Sequence, residues 1–432
     1  MEIVLEHVRS FAKKREIPLR PLTLLVGENS SGKSTFLAVA AAVLERPGFP
    51  WSPAFNSPPY SLGNFDTIAT FKGGKYGRDE KFKIGIRHEV DKGRIREAIA
   101  TYANEHGQVV LSEFHWTEKD ITAVLSVSQT RFRVTVRQTP DRGPTDKAEF
   151  EGDLPASVSR SAIPGYAIWN QVFQASRETK DAKEFALLRR GFEVLEIGQP
   201  FGGCHSLAPI RSKPRRTYDE FSEEYSPEGD HVPTLIARLL TSTEEPSEGK
   251  HLRDALERFG QESGLFRKLD VKRLGKHLTD PFQIQVSVAG PPVNLTDVGY
   301  GVSQALPVVV HIVLRSKRSI YLLQQPEVHL HPRAQAALGT FFADLASRGD
   351  RTFVVETHSD HLVDRVRHEV AQGRITAEQV IILFFDKPKL ETEVTPIELD
   401  DQGNVVDAPS SYRRFFLEEE LKLFAGGTAE CA

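Results

Sequence analysis

The stretch GENSSGKST, Gly27 to Thr35, decides how the rest of the chain is read. It fits G-x-x-x-x-G-K-[ST], and its flanks carry the context that pattern needs. Before it lies LTLLV, Leu22 to Val26, a continuous apolar run suited to a buried strand. After it comes STFLAVAAAVLE, Ala-rich and without a breaker, which reads as a helix. Glycines at 27 and 32 permit backbone angles that aim successive N–H groups at phosphate oxygens. The helix start adds partial positive charge. Lys33 supplies a point charge for β and γ phosphates, and the Ser34 hydroxyl can ligate Mg²⁺. The loop therefore predicts ATP and Mg²⁺ as cofactors. The nucleotide would be held by Gly27, Glu28, Asn29, Ser30, Ser31, Gly32, Lys33, Ser34 and Thr35.

Working outward, the last third of the chain alternates strand and helix. SIYLLQ (319–324), RTFVVE (351–356) and VIILFF (380–385) read as strands. RAQAALGTFFADLAS (333–347) and DHLVDRVRHEV (360–370) read as helices, and EVTPIEL (393–399) as an edge strand. This order argues for a mostly parallel sheet covered by helices. Between about residues 81 and 137 the pattern changes. KFKIGIR and RFRVTVRQ alternate strictly, as expected of antiparallel strands with one wet face. From Ala167 to Leu195 the period becomes helical, with Trp169, Val172 and Phe173 on one stripe and Phe185, Leu188 and Phe192 on another. A polar loop follows at 212–230, then helices near Thr234–Leu240 and His251–Phe266. No repeat at solenoid period is present.

Composition narrows the classes. Hydrophobic residues are 39% and charged residues 26% of the 432, which supports packed domains over general disorder. With 55 basic and 59 acidic residues the net charge is −4, so contact with nucleic acid would have to come from a local patch. Two cysteines, Cys204 and Cys431, argue against a disulfide framework or a Cys-based zinc site. The start, MEIVLEHVRSF, does not read as a signal peptide, and no apolar run approaches a membrane span. The expected compartment is the cytoplasm, with no membrane partner.

Three further segments carry chemistry. THSD, Thr357 to Asp360, follows the strand RTFVVE, where His358 could reach a γ-phosphate, hold the attacking water or sense hydrolysis; the alternative is a surface-loop histidine. LTDVGYGVSQALP, Leu295 to Pro307, sets Gly299, Gly301, Ser303 and Gln304 at a helix start, either a second anion site or an N-capped helix after a Gly turn. YLLQQPEVHLHP, Tyr321 to Pro332, has the layout of a Walker B strand, yet it ends in Gln324 and Gln325 where acids are expected.

The order of these segments resembles the ABC-type ATPases of the RecF, structural-maintenance-of-chromosomes and OLD group, often described as AAA-family ATPases. VRSF and IPLRPLTLLVGENSSGKST look like the opening of that group, DVGYGVSQALPVV like its signature, and QPEVHLHPRAQ like its Walker B and D-loop. LAPIRSKPRRTY, Leu207 to Tyr218, looks like a segment shared by some members. The resemblance implies an α/β ABC-type P-loop ATPase: a core from residues 1–75 and 280–400, an antiparallel β subdomain at 76–150, and a helical and loop insertion at 151–279. A C-terminal helix and tail occupy 401–432, too short for the TOPRIM nuclease domain of OLD proteins. It implies a head-to-head homodimer or larger homo-oligomer, in which Gly299, Gly301, Ser303 and Gln304 of one subunit face ATP on the other.

On the same resemblance Gln324 stands at the metal-holding acid, beside Ser34, and Gln325 at the catalytic acid, beside His358. Glutamine keeps the shape of glutamate without its charge, so the pair should bind ATP and hydrolyse it slowly. Some relatives carry an acid followed by Gln, which leaves three readings of the pair open. In the first, Gln324 replaces a glutamate to trap ATP; in the second, the site is a slow natural switch; in the third, Glu327, or the pair with His358, supplies catalysis. Asn64 or Asp66 could sense the γ-phosphate or form a plain turn. The basic runs at 211–216 and 267–276 are either solvated faces or phosphate-tracking patches for DNA. His329 and His331 lack the further ligands a zinc site needs. Two functions follow. One is an ATP-driven switch or scaffold for a separate effector protein in antiphage defence. The other is a RecF-like repair or recombination ATPase that clamps DNA.

Overall fold

A computed structural model describes residues 1–412 except 46–47, 75–76, 92, 141–143, 155–164, 179–181, 196–201, 220–223, 242–245, 278–279 and 316–317. The expected C-terminal helix at 401–432 falls mostly outside the described residues, which end at 412.

The chain opens with a hairpin, β1 (Glu2–Glu6) and β2 (Arg15–Pro18). Then β3 (Leu22–Gly27) runs into the phosphate loop and α1 (Lys33–Leu44), followed by the short α2 (Phe65–Ile68). Six strands meander next: β4 (Lys81–Asp91), β5 (Arg94–Glu105), β6 (Gln108–Glu118), β7 (Ile121–Val127), β8 (Arg131–Gln138) and β9 (Asp146–Asp153). The middle holds α3 (Gly165–Glu178), α4 (Ala182–Leu195), β10 (Gly203–Leu207), α5 (Val232–Thr241) and α6 (Pro246–Ser263). A small sheet of β11 (Lys268–Arg273), β12 (Phe282–Ser287) and β13 (Val293–Asn294) leads to α7 (Tyr300–Leu314). The remainder is β14 (Ser319–Gln324), α8 (Pro332–Ser347), β15 (Arg351–Glu356), α9 (Asp360–Ala371), β16 (Val380–Asp386), β17 (Glu393–Leu399) and β18 (Val405–Val406).

Seven strands form the core sheet in the order β10-β14-β15-β3-β16-β17-β18. The first five run parallel and the last two antiparallel. Alternation along β14 shows how the layers form. Ile320 and Leu322 face the core that includes α1, while Tyr321 and Leu323 face the core built on α5 to α9. Val354 and Val355 divide in the same way on β15. A strand buried on both faces needs apolar residues at every position, which is why these segments read as continuous runs. Helix α1 is buried along nearly its whole length, because the core sheet covers one side and the meander sheet the other.

Three features differ from the sequence reading. The meander is not separate from the N-terminus: eight strands pair as β2-β1-β4-β5-β6-β7-β8-β9, with Glu2 opposite Arg87, so one sheet spans the expected boundary near residue 75. The insertion contributes β10 to the core sheet, Cys204 lying opposite Ile320. The helices α3 and α4 lie against the meander, where the Trp116 indole donates to Gly191 O at 2.6 Å. Of the expected stripes, Val172 and Leu188 are buried and Phe173 is exposed.

Against β10 and α7 lies a cluster of three histidines. The His311 ring is 5.1 Å from His205, 5.9 Å from His231 and 4.9 Å from Tyr225. Burial, with Arg315 nearby, pulls all three below the usual imidazole range, His205 to about 4. The unfolded chain protonates these rings near pH 6.5 and the folded chain does not. Their contribution is therefore complete above about pH 6.5 and is lost as pH falls toward the folded values. Thermal unfolding followed by circular dichroism should show Tm falling from pH 7 to pH 5, with a shallower slope in His311→Gln.

Candidate functional site

The cradle is built at the end of β3. Gly27 has φ +136°, and a Cβ there would lie 2.1 Å from the Phe385 carbonyl oxygen, so only glycine lets β3 and β16 close at this point. Ser30 (φ +61°) and Gly32 (φ +111°) turn the chain into the first turn of α1. The ammonium of Lys33 donates to Gly27 O (2.9 Å) and Glu28 O (2.7 Å), which draws the loop around the side chain. Burial lowers the Lys33 pKa, with Glu356 and Glu28 acting in the opposite sense. Thr392, fully buried, donates to Ser31 O at 2.8 Å and ties the loop to the segment before β17.

The cleft over this loop is about 670 Å³, within the usual range for small-molecule sites. Asn29, Ser30, Gly32, Lys33, Ser34 and Thr35 line it, together with Gln325 and Glu356. Arg9, Arg78 and Lys387 add positive charge at its margin. Arg9 also donates to Thr35 Oγ1 at 3.4 Å and Leu62 O at 3.1 Å. Among the described residues no group of three or more His, Cys, Asp and Glu could hold a metal by itself. Mg²⁺ needs no such group: it takes one or two protein oxygens and completes its shell with phosphate and water.

The two glutamines sit at the tip of β14, both partly exposed. Gln325 lines the cleft and has φ +43°, an uncommon conformation for a residue other than glycine. Its N–H donates to Glu356 O at 2.8 Å. Glu356, at the tip of β15, is an acid that sequence reading passed over as the last residue of a strand. Its carboxylate is 4% exposed and accepts from Ser34 Oγ at 3.1 and 3.0 Å on its two oxygens. Burial raises its pKa, against the pull of Lys33, Ser34 and the Gln324 side chain. The only local sign of this role was an acid closing an otherwise apolar strand beside THSD.

His358 is exposed, and its backbone N–H donates to Glu327 Oε1 at 2.8 Å. Burial, then Lys33, lowers its imidazole pKa. Glu327 is 6% exposed and serves the turn below the glutamines. Arg211 is 2% exposed and donates to Gln325 O at 3.2 Å and Pro326 O at 3.3 Å. This first member of the basic run is thus a brace under the turn, not a solvated face, and Arg216 pairs with Asp297. In the second run β11 carries a buried Leu269 and Arg273 bonds to Thr241 Oγ1. Asn64 caps α2 through Thr67 N at 3.1 Å, and Asp66 accepts from Asn104 at 3.3 Å.

At the signature segment, Gly299 and Tyr300 are exposed and Gly301 partly so. Ser303 is 6% exposed and donates to Tyr300 O at 2.8 Å, while Gln304 is 1% exposed. In this conformation the outer surface is the Gly299–Gly301 turn; Ser303 and Gln304 support it from beneath. The turn does not lie in the chain's own phosphate cleft, whose lining includes none of the four residues.

Residues 286–364 match the model of a family described as "AAA domain, putative AbiEii toxin, Type IV TA system". The match takes in the signature turn, both glutamines, Glu356 and His358. Three solved structures are similar over nearly the whole chain. An SmcHead bound to the C-winged helix domain of ScpA has a TM-score of 0.48 at 11% identity, covering 92% of this chain and 97% of that one. The SMC head domain from Thermotoga maritima has a TM-score of 0.38 at 11% identity, covering 92% and 98%. An Smc head domain with an extended coiled coil, bound to the C-terminal domain of ScpA derived from Pyrococcus furiosus, has a TM-score of 0.41 at 10% identity, covering 98% of each. No curated protein matches the chain. The matched AAA segment and the phosphate loop together mark an α/β P-loop domain of ATPase type.

Gly27→Ala should destabilise the fold by about 1–3 kcal/mol from backbone conformation alone, with further loss from the contact with Phe385 O. Chemical denaturation would measure it, and Gly299→Ala, where a Cβ meets nothing within 4 Å, is the matched control.

Proposed function

We propose that the chain binds Mg·ATP in the cleft, closes around it as a head-to-head homodimer, and hydrolyses it slowly. It thereby serves as an ATP-dependent switch or scaffold for a separate effector protein in antiphage defence. The observation that carries this reading is the cradle itself: Lys33 and Ser34 at the start of α1, under a glycine-turned loop, in a cleft edged by Arg9, Arg78 and Lys387. Anions are favoured at such a helix start, and the added cations suit a polyphosphate.

Slow turnover follows from Gln325. A carboxamide at the strand tip can orient water but cannot take its proton, and loss of a general base costs ~10²–10⁴-fold in rate. His358 is the remaining candidate to position water. The Gly299–Gly301 turn is the surface offered to ATP on a partner subunit. A cytoplasmic location belongs to the same proposal; no helix among the described residues is long and apolar enough to cross a membrane. An effector partner draws support from the matched family's description, which names a toxin–antitoxin system. DNA clamping draws less, since Arg211 is buried and Arg216 is paired.

Two variants test the reading. Lys33→Ala should abolish binding of a fluorescent ATP analogue. Gly299→Arg has space for its side chain, so it should leave binding intact and block closure. Light scattering after gel filtration should show an ATP-dependent dimer for the unaltered chain and a monomer for Gly299→Arg. Equal dimer formation with and without ATP would sink the closure model.

A further inference from the structure

We propose that Glu356, on β15, is the carboxylate that holds the divalent cation of bound Mg·ATP, in place of the residue at Gln324 on β14. The inference rests on the nucleotide-binding reading of the cleft and names the chemistry of its metal position.

The sheet makes the exchange possible. β14 and β15 are parallel and in register, with Gln324 directly opposite Glu356. Neighbouring strands lie roughly 4.8 Å apart, so side chains from the two tips reach the same small volume. What marks that volume is the Ser34 hydroxyl, the one protein oxygen that the phosphate-loop motif itself assigns to the cation. Both carboxylate oxygens of Glu356 lie on it, at 3.0 and 3.1 Å.

Charge supports the same assignment. A carboxylate only 4% exposed needs a counter-charge. Its direct hydrogen-bond partner is the Ser34 hydroxyl, and its register neighbour is Gln324, both neutral. Lys33 contributes at longer range, while its ammonium donates to Gly27 O and Glu28 O. A cation beside Ser34 would complete the pair. Mg²⁺ prefers hard oxygens and accepts a site of one hydroxyl and one carboxylate finished by phosphate and water.

Gln324 then has a definite task. A glutamate there would set two carboxylates on adjacent strand tips, and like charges that close cannot both ionise readily. The carboxamide instead lies opposite Glu356 without adding a second charge. Gln324 is then a neutral neighbour, and the metal position keeps one negative charge, moved one strand across. Metal binding and slow turnover are thereby separated: the first depends on Glu356, the second on the missing base at Gln325.

The test is binding of MANT-ATP, measured in EDTA and in Mg²⁺. Glu356→Gln should match the unaltered chain in EDTA but lose about 10–100-fold of the tightening that Mg²⁺ brings. Glu356→Asp keeps the charge and should retain most of it. Gln324→Glu alone should not increase it, whereas Gln324→Glu combined with Glu356→Gln should restore part, because the acid returns to a strand tip. Electron paramagnetic resonance of Mn²⁺ with ATP should show the same order of bound metal. Full Mg²⁺ tightening in Glu356→Gln, or equal loss in Glu356→Gln and Glu356→Asp, overturns the assignment. Absence of MANT-ATP binding by the unaltered chain in both EDTA and Mg²⁺ overturns the nucleotide reading as well.

Discussion

The site depends on one constraint: β3 must lie between β15 and β16, parallel and in register with both. Leu22 faces Phe353 on one side and Val380 on the other, and the ladder to β16 continues as far as Gly27 and Phe385. Parallel strands end together, so the phosphate loop, the tip of β14 and the tip of β15 all emerge at one edge of the sheet. At this edge the backbone is packed so closely that residue 27 has no room for a side chain. Burial of α1 follows from the same arrangement, because a helix starting at the phosphate loop must run back across the sheet, and the meander then covers its outer face.

What the sequence revealed of this depended on how far each signal extends along the chain. Strands buried on both faces announce themselves as apolar runs, and the phosphate loop is a contiguous pattern; both were legible. β10 was not. GCHSL is short and mixed in character, and its strand geometry comes from pairing with β14 more than a hundred residues later. The continuity of β1 with the meander was hidden for the same reason, since nothing in Glu2–Glu6 points to Lys83–Arg87.

Among site residues the division runs along similar lines. Lys33 and Ser34 were legible because they stand in one contiguous motif, within which Lys33 also finds its partners. Glu356, Thr392 and Arg211 were not, because each acts through a contact at least 114 residues away in sequence. Arg211 shows the hazard of reading charge runs by composition. The run RSKPRR contains one residue that is 2% exposed and braces backbone carbonyls, beside another that is ion-paired at the surface. Ser303 and Gln304 were expected to reach outward, but α7 is buried almost throughout, and only its first turn stays open.

The segment between the glutamines and α8 joins the two faces that matter. Gln325, in its left-handed conformation, turns the chain from β14 into Pro326 and Glu327, and Glu327 receives the N–H of His358. Two residues on, His329 packs its ring 5.2 Å from Tyr300, and Gly301 lies against the His329 carbonyl oxygen. The same short turn therefore touches the phosphate cleft at one end and the outward signature turn at the other. Buried Arg211 fixes its carbonyls from below, which leaves little freedom for one end to move alone. A shift of Gln325 or His358 on filling the cleft would be felt at Tyr300 through packed atoms. That contiguity gives a physical reason why a chain without a charged base at residue 325 could still use nucleotide binding to present, or withhold, the Gly299–Gly301 turn proposed as its dimer face.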